Sequence, residues 1–151
     1  MKIEVYSHNN GENIVSKDIK DSLLNILFNT QFIIREGCSI ELKKVILMQL
    51  KNIGWSNDFN LDVNSRISLT SYIDDHILCF QTGNMGRFYA DLLKMQYVFQ
   101  KRKARAAIYI IPSKTASIIM GSNVANFERF TNELHLFRDI ITVPTLVIGI
   151  N

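Results

Sequence analysis

The chain has 151 residues, 47% of them hydrophobic and 21% charged, which is enough apolar side chain for one domain with a real core and excludes a disordered or fibrous protein. The formal net charge of +3 is unevenly spread: residues 1–83 carry eight Lys/Arg against ten Asp/Glu, residues 84–105 six against one, and residues 106–151 three against three. A single-sign cluster of that kind raises the local potential and favours an anionic partner such as nucleic acid, although a cationic helix end also complements its own macrodipole.

In chain order, "KIEVYSH" alternates at period two and predicts a short opening strand, and "NNGEN" predicts a turn. Ser16 then caps a helix from Lys17 to about Phe28, with Ile19, Leu23, Ile26 and Leu27 on one face. A second helix follows the possible cap Ser39, runs "IELKKVILMQLKNI" and stops at Gly54. After the polar stretch "WSNDFNLDVNS", the segment "RISLTSYIDDHILCFQ" contains two β-prone runs around Asp74-Asp75, which predicts a hairpin. Residues 85–99 form a third helix, with Met85, Phe88, Leu92, Met95 and Phe99 as its core stripe.

"AAIYIIP" is the pattern of a strand buried on both faces, and "SKTASIIMGSN" that of a short helix or loop. Ser122 caps the helix "NVANFERFTNELHLF", and "ITVPTLVIGI" closes as a last strand whose Pro144 suits an edge or a strand start. Strands alternating with helices imply an α/β fold, a mixed β-sheet with helices on both faces, over residues 1–151 as a single domain. There is no secretory leader and no apolar run of the roughly 18 residues that a membrane span needs, so a cytoplasmic protein without membrane contact is expected. Cys38 and Cys79 read as small buried hydrophobes, and His8, His76 and His135 share no ligand spacing.

Ligands of such sheets collect where strand ends meet helix N-termini, and the turn Gln81-Thr82-Gly83-Asn84 is one such place. Asn84 and the backbone N–H groups that open the following helix suit a phosphate. Arg87 and Lys94 lie seven apart on one helix face, and Lys101, Arg102, Lys103 and Arg105 continue the basic series, a stripe suited to DNA backbone contacts. Arg87 and Asp91, four apart, are equally an ordinary intrahelical ion pair. Glu128, Arg129 and Glu133 read as a solvated helix face.

The stretch "FQTGNMGRFYADLLKMQYVF", with "AAIYIIPSKTA", "GSNVANFERFTNEL", "ITVPTLVIGI" and the opening "MKIEVYSH", resembles the BglII-type restriction endonucleases, a branch of the PD-(D/E)XK nuclease superfamily. The resemblance implies a restriction-endonuclease-like core and a homodimer that recognises a short duplex DNA sequence and hydrolyses a phosphodiester with divalent metal, Mg²⁺. It also implies two acids on adjacent strands of a hairpin, with a glutamine two positions after the second. That glutamine falls on Gln81, the second acid on Cys79 and the first on Thr70, so both expected carboxylates are missing. Asp74 and Asp75 lie between them. Turn chemistry explains both, or, with a shorter hairpin, they serve beside Gln81 as metal ligands and catalytic groups.

Two functions of different class follow. One is a restriction endonuclease with an altered metal site. The other is a catalytically inactive DNA-binding or regulatory partner subunit of a restriction system. A protein-binding module without DNA sits poorly with the basic segment.

Overall fold

The computed structural model describes residues 1–64 and 66–151. In chain order its elements are β1 (Ile3–His8), α1 (Gly11–Ile14), α2 (Lys17–Asn29), α3 (Ser39–Asn52), β2 (Phe59–Asn60), β3 (Ser68–Leu69), β4 (Ser71–Ile73) and β5 (His76–Phe80). They continue with α4 (Arg87–Gln100), β6 (Ala106–Pro112), α5 (Lys114–Met120), α6 (Phe127–Leu136) and β7 (Thr145–Ile150).

The three most apolar runs, β5, β6 and β7, are buried along their whole length and form the parallel centre of the sheet. β1 joins antiparallel to β7 and β4 antiparallel to β5, giving the order β1-β7-β6-β5-β4. Side-chain alternation divides the core between the two faces. Leu78, Phe80, Ile108, Ile110, Leu146 and Ile148 meet Leu23 and Leu27 of α2 and Leu42, Ile46 and Leu50 of α3. Ile77, Cys79, Ala107, Tyr109, Ile111 and Val147 meet Phe88, Leu92 and Met95 of α4 and Phe130 and Leu134 of α6. The mixed sheet with helices on both faces is thus the observed fold, and both cysteines are buried.

Several local expectations are corrected. The first run of the hairpin divides at Thr70: β3 pairs with β2 in a separate two-stranded ribbon, and only β4 joins the main sheet. Thr70 permits the change of partner because its Oγ1 accepts the Phe80 N–H at 3.0 Å, satisfying a strand-end donor with a side chain. The polar segment before it contains β2, and the one-turn α1 begins within "NNGEN" and ends at Ile14.

Ser16 and Cys38 stand at the cap positions of α2 and α3, and neither side chain makes a capping hydrogen bond. Gly54, at φ +100, ends α3 in the left-handed conformation that glycine adopts freely. α6 starts at Phe127 with Asn126 as its cap, accepting the Arg129 N–H at 3.0 Å, rather than after Ser122. The intervening residues are drawn away to the turn before α4: Ala125 donates to Gly83 at 2.9 Å and Met85 to Asn123 at 3.0 Å. Pro144 precedes β7, an interior strand, at the one place where its missing N–H spares the ladder. Among the described residues no helix is long and apolar enough to cross a membrane.

Candidate functional site

Beyond Phe80 the chain stays in the parallel ladder for one more residue, with Gln81 N–H donating to Ile110 at 2.9 Å. Period two then turns the Gln81 side chain to the face of Cys79, towards α4. There its Nε2 donates to Asp91 Oδ2 at 2.7 Å, while its Oε1 accepts the Gly83 N–H at 2.9 Å. A Cβ at position 83 would stand 3.1 Å from that oxygen, so the turn is tight against the glutamine.

Asp91 gathers three donors. Besides Gln81 it accepts the Tyr109 hydroxyl at 3.1 Å on Oδ2 and the Lys94 ammonium at 3.1 Å on Oδ1. The ion pair expected between Arg87 and Asp91 is therefore made by Lys94 instead. The Tyr109 ring stacks on Phe130 at 4.1 Å, and Phe130 meets Phe88 edge-on at 5.3 Å. Burial, then the Asp91 charge, pushes the Tyr109 hydroxyl well above its ordinary pKa, so it stays a donor.

Beside this network opens a cleft of about 400 Å³, lined by Lys43 of α3, Asp58, Thr70, Gln81, Arg87, Asp91 and Lys94 among others. Three cations face two carboxylates. Among the described residues neither the Lys43 ammonium nor the Arg87 guanidinium has a carboxylate within ion-pair distance. Lys43 and Asp58 escaped the sequence reading because they stand far from Gln81 in the chain. For Lys43 the available signal was its place beside the buried Leu42–Ile46 stripe of α3.

The structure does not bring Asp74 and Asp75 to this cleft. They form the β4–β5 corner, with Ile73 opposite His76, six residues and roughly 20 Å of extended strand away from Gln81. Asp74 adopts φ 50 to make that corner. Asp75 is committed there: its Oδ2 lies 3.1 Å from Arg105 Nε, and its Oδ1 lies 2.8 Å from His76 Nδ1 without the alignment of a hydrogen bond.

The basic series is divided in the same way. Arg87 and Lys94 line the cleft, whereas Lys101, Arg102, Lys103 and Arg105 lie past the far end of α4. Lys101 sits over the Tyr97 ring at 5.6 Å, and Lys103 donates to the Leu61 carbonyl at 3.4 Å. Asn84 is exposed and spends its Oδ1 on the Gly86 N–H at 2.7 Å, shaping the entry to α4. Cys79 is fully enclosed. Burial, then the Asp91 charge, pushes its thiol well above the ordinary value, against a smaller pull from Lys94 and Lys43.

A family model described as restriction endonuclease BglII/BglIII matches residues 3–150. The chain belongs to the BglII/BglIII restriction endonuclease family. Its fold matches the crystal structure of restriction endonuclease BglII complexed with a DNA 16-mer, with a TM-score of 0.89 at 13% identity, over 100% of this chain and 78% of that one. The structure of free BglII matches with a TM-score of 0.79 at 14% identity, over 100% of this chain and 80% of that one. No curated protein sequence matches the chain.

The family uses a divalent metal, and the cleft's donors do not fit one. Mg²⁺ demands hard oxygen ligands, usually carboxylates. Neither the Thr70 hydroxyl nor the Cys79 thiol, buried and kept protonated, supplies a carboxylate. The Asp91 oxygens and the Gln81 carbonyl are already occupied by donors, which leaves Asp58 as the one cleft carboxylate without a partner among the described residues, against three cations. Among the described residues no three His, Cys, Asp or Glu side chains are grouped closely enough to hold a metal ion.

Proposed function

We propose that this chain is a DNA-binding member of the BglII family that has lost the metal centre its relatives use for hydrolysis. What supports this reading is the pair Thr70 and Cys79: on the resemblance they stand where the family has its two acids, neither is a carboxylate, and Cys79 is 2% exposed. Two carboxylates hold the metal that polarises the phosphoryl oxygen and lowers the pKa of the attacking water, so their loss costs orders of magnitude in rate.

Binding survives such a loss because it draws on other parts. Arg87 and Lys94 contact DNA phosphates, and Lys101–Arg105 extends the electrostatic footprint. Contacts of this kind position a duplex without reading its sequence. Gln81 holds Asp91 and the turn in place. The chain thereby serves as an inactive DNA-binding or regulatory partner subunit of a restriction system. Self-association as a homodimer belongs to the same reading and is supported by exposed Leu93 and Tyr97 on α4.

The test is to incubate the purified protein with mixed-sequence duplex DNA in Mg²⁺ and in Mn²⁺, following strand integrity on denaturing gels and complex formation by mobility shift. The reading predicts a salt-sensitive complex and intact strands. Metal-dependent cutting that EDTA stops and Asp91→Asn abolishes would instead establish a nuclease whose carboxylate comes from α4. That outcome would overturn the loss of the centre.

A further inference from the structure

We propose that Lys43, Arg87 and Lys94 hold a DNA-strand phosphate in the cleft beside Gln81 without a divalent cation, replacing with protein charge what the metal supplies in the family's nucleases. This rests on the DNA-binding reading above and adds where one phosphate sits and what neutralises it.

The argument is one of charge and of donors left over. In a carboxylate-lined nuclease site the acids repel a phosphodiester, and a metal ion must bridge the two. Here neither Thr70 nor Cys79 carries charge, and three cations line the cleft against Asp58 and Asp91. Asp91 is compensated by Lys94 at 3.1 Å, which still leaves that ammonium two N–H donors. Lys43 and Arg87 keep all of theirs, because among the described residues neither side chain has a carboxylate partner.

Thr70 adds a further donor. Its Oγ1 already accepts the Phe80 N–H, so its own proton is free to point at an anion. The three cations come from different parts of the fold, Lys43 from α3 and the other two from α4. α3 packs on one face of the sheet and α4 on the other, so the convergence lies at the end of β5, where the two layers meet. Asp58 stands exposed and opposes the anion, which leaves the cleft with one net positive charge.

The experiment is a fluorescence-anisotropy titration of a labelled mixed-sequence duplex, in EDTA and in Ca²⁺ at matched ionic strength, with the wild type, Lys43→Ala and Lys43→Arg. The expected result is the same affinity in EDTA as in Ca²⁺. Lys43→Ala should bind about tenfold more weakly in both, with the salt slope reduced by about one, and Lys43→Arg should keep most of the affinity. Tightening by Ca²⁺ of about tenfold or more, with Lys43→Ala neutral, would overturn the proposal and restore a bridging metal.

If the duplex does not bind at all, the DNA-binding reading fails, and the cleft is judged separately with inorganic phosphate. Phosphate should then raise the melting temperature of the wild type, relative to chloride at equal ionic strength, and leave that of Lys43→Ala unmoved. Equal responses of the two proteins would overturn the phosphate site.

Discussion

At the N-terminal end of β5, Asp75, His76 and Arg105 close on one another; at its C-terminal end, Gln81, Asp91, Tyr109 and Lys94 do the same, but Lys43 and Arg87 are left over beside an open cleft. The two ends draw on similar residues. What separates them is the balance of donors and acceptors. The corner spends the Asp75 carboxylate on Arg105 and His76, and the shallow cavity beside it is lined by Asp75, Arg102 and Arg105, so Arg102, its one unpaired cation among the described residues, stands beside an anion already committed to neighbours. The cleft satisfies its buried members and still presents the unpaired cations Lys43 and Arg87, the surplus on which the proposed anion site rests.

The largest expected effect lies in the buried network. Asp91→Ala leaves Gln81 Nε2 and the Tyr109 hydroxyl without their acceptor, and we expect a loss of about 3 kcal/mol in urea unfolding. A loss below about 1 kcal/mol would show that water reaches these groups and that the cleft end is less closed than described. Next comes the corner: Asp75→Ala removes the partner of Arg105 and the anion beside His76, for about 1 kcal/mol of stability and no change in DNA affinity. A marked drop in affinity there would erase the distinction between the two ends.

Acid should act on the corner too. His76 is neutral at its Nε2, which accepts the Ser16 N–H at 3.2 Å. Burial lowers its pKa below the ordinary 6.5, against the opposing pull of Asp75, with Arg105 lowering it further. The unfolded chain therefore binds the proton more readily than the folded one, so the contribution is intact above about pH 6.5 and is lost as the pH falls towards the folded value. The melting temperature should drop between pH 7 and 5.5, and His76→Gln should flatten part of that slope. His8, also lowered by burial, supplies another part. Smallest of all, Arg105→Ala should cost under about 0.5 kcal/mol, since that pair is half exposed.

Much of this was legible in the chain. The apolar runs of β5, β6 and β7, the stripe of α4 and the two-residue corner at Asp74-Asp75 follow from period and turn chemistry, and those local rules hold here. The position of Gln81 at the strand end, where the cleft opens, was legible as well.

The composition of the site was not. Lys43 and Asp58 reach the cleft through the packing of α3 and of the segment before β2, contacts that no local pattern records. Asp91 looked like the partner of Arg87 because four-residue spacing allows it, but the buried hydroxyl of Tyr109 and the amide of Gln81 draw the carboxylate inward, where Lys94 reaches it. The division of the β3–β4 run at Thr70 was hidden as well, since a threonine in a β-prone run gives no sign that its hydroxyl will take a strand's place.

The central claim is that this end of β5 recognises phosphate with the protein's own cations and has no metal centre. Calorimetric titration of Mn²⁺ into the complex of the protein with duplex DNA tests it most directly, because a metal site completed by phosphate would be filled under those conditions. The account predicts no saturable heat above that of Mn²⁺ titrated into the duplex alone. A stoichiometric binding isotherm that Asp91→Asn removes would contradict it.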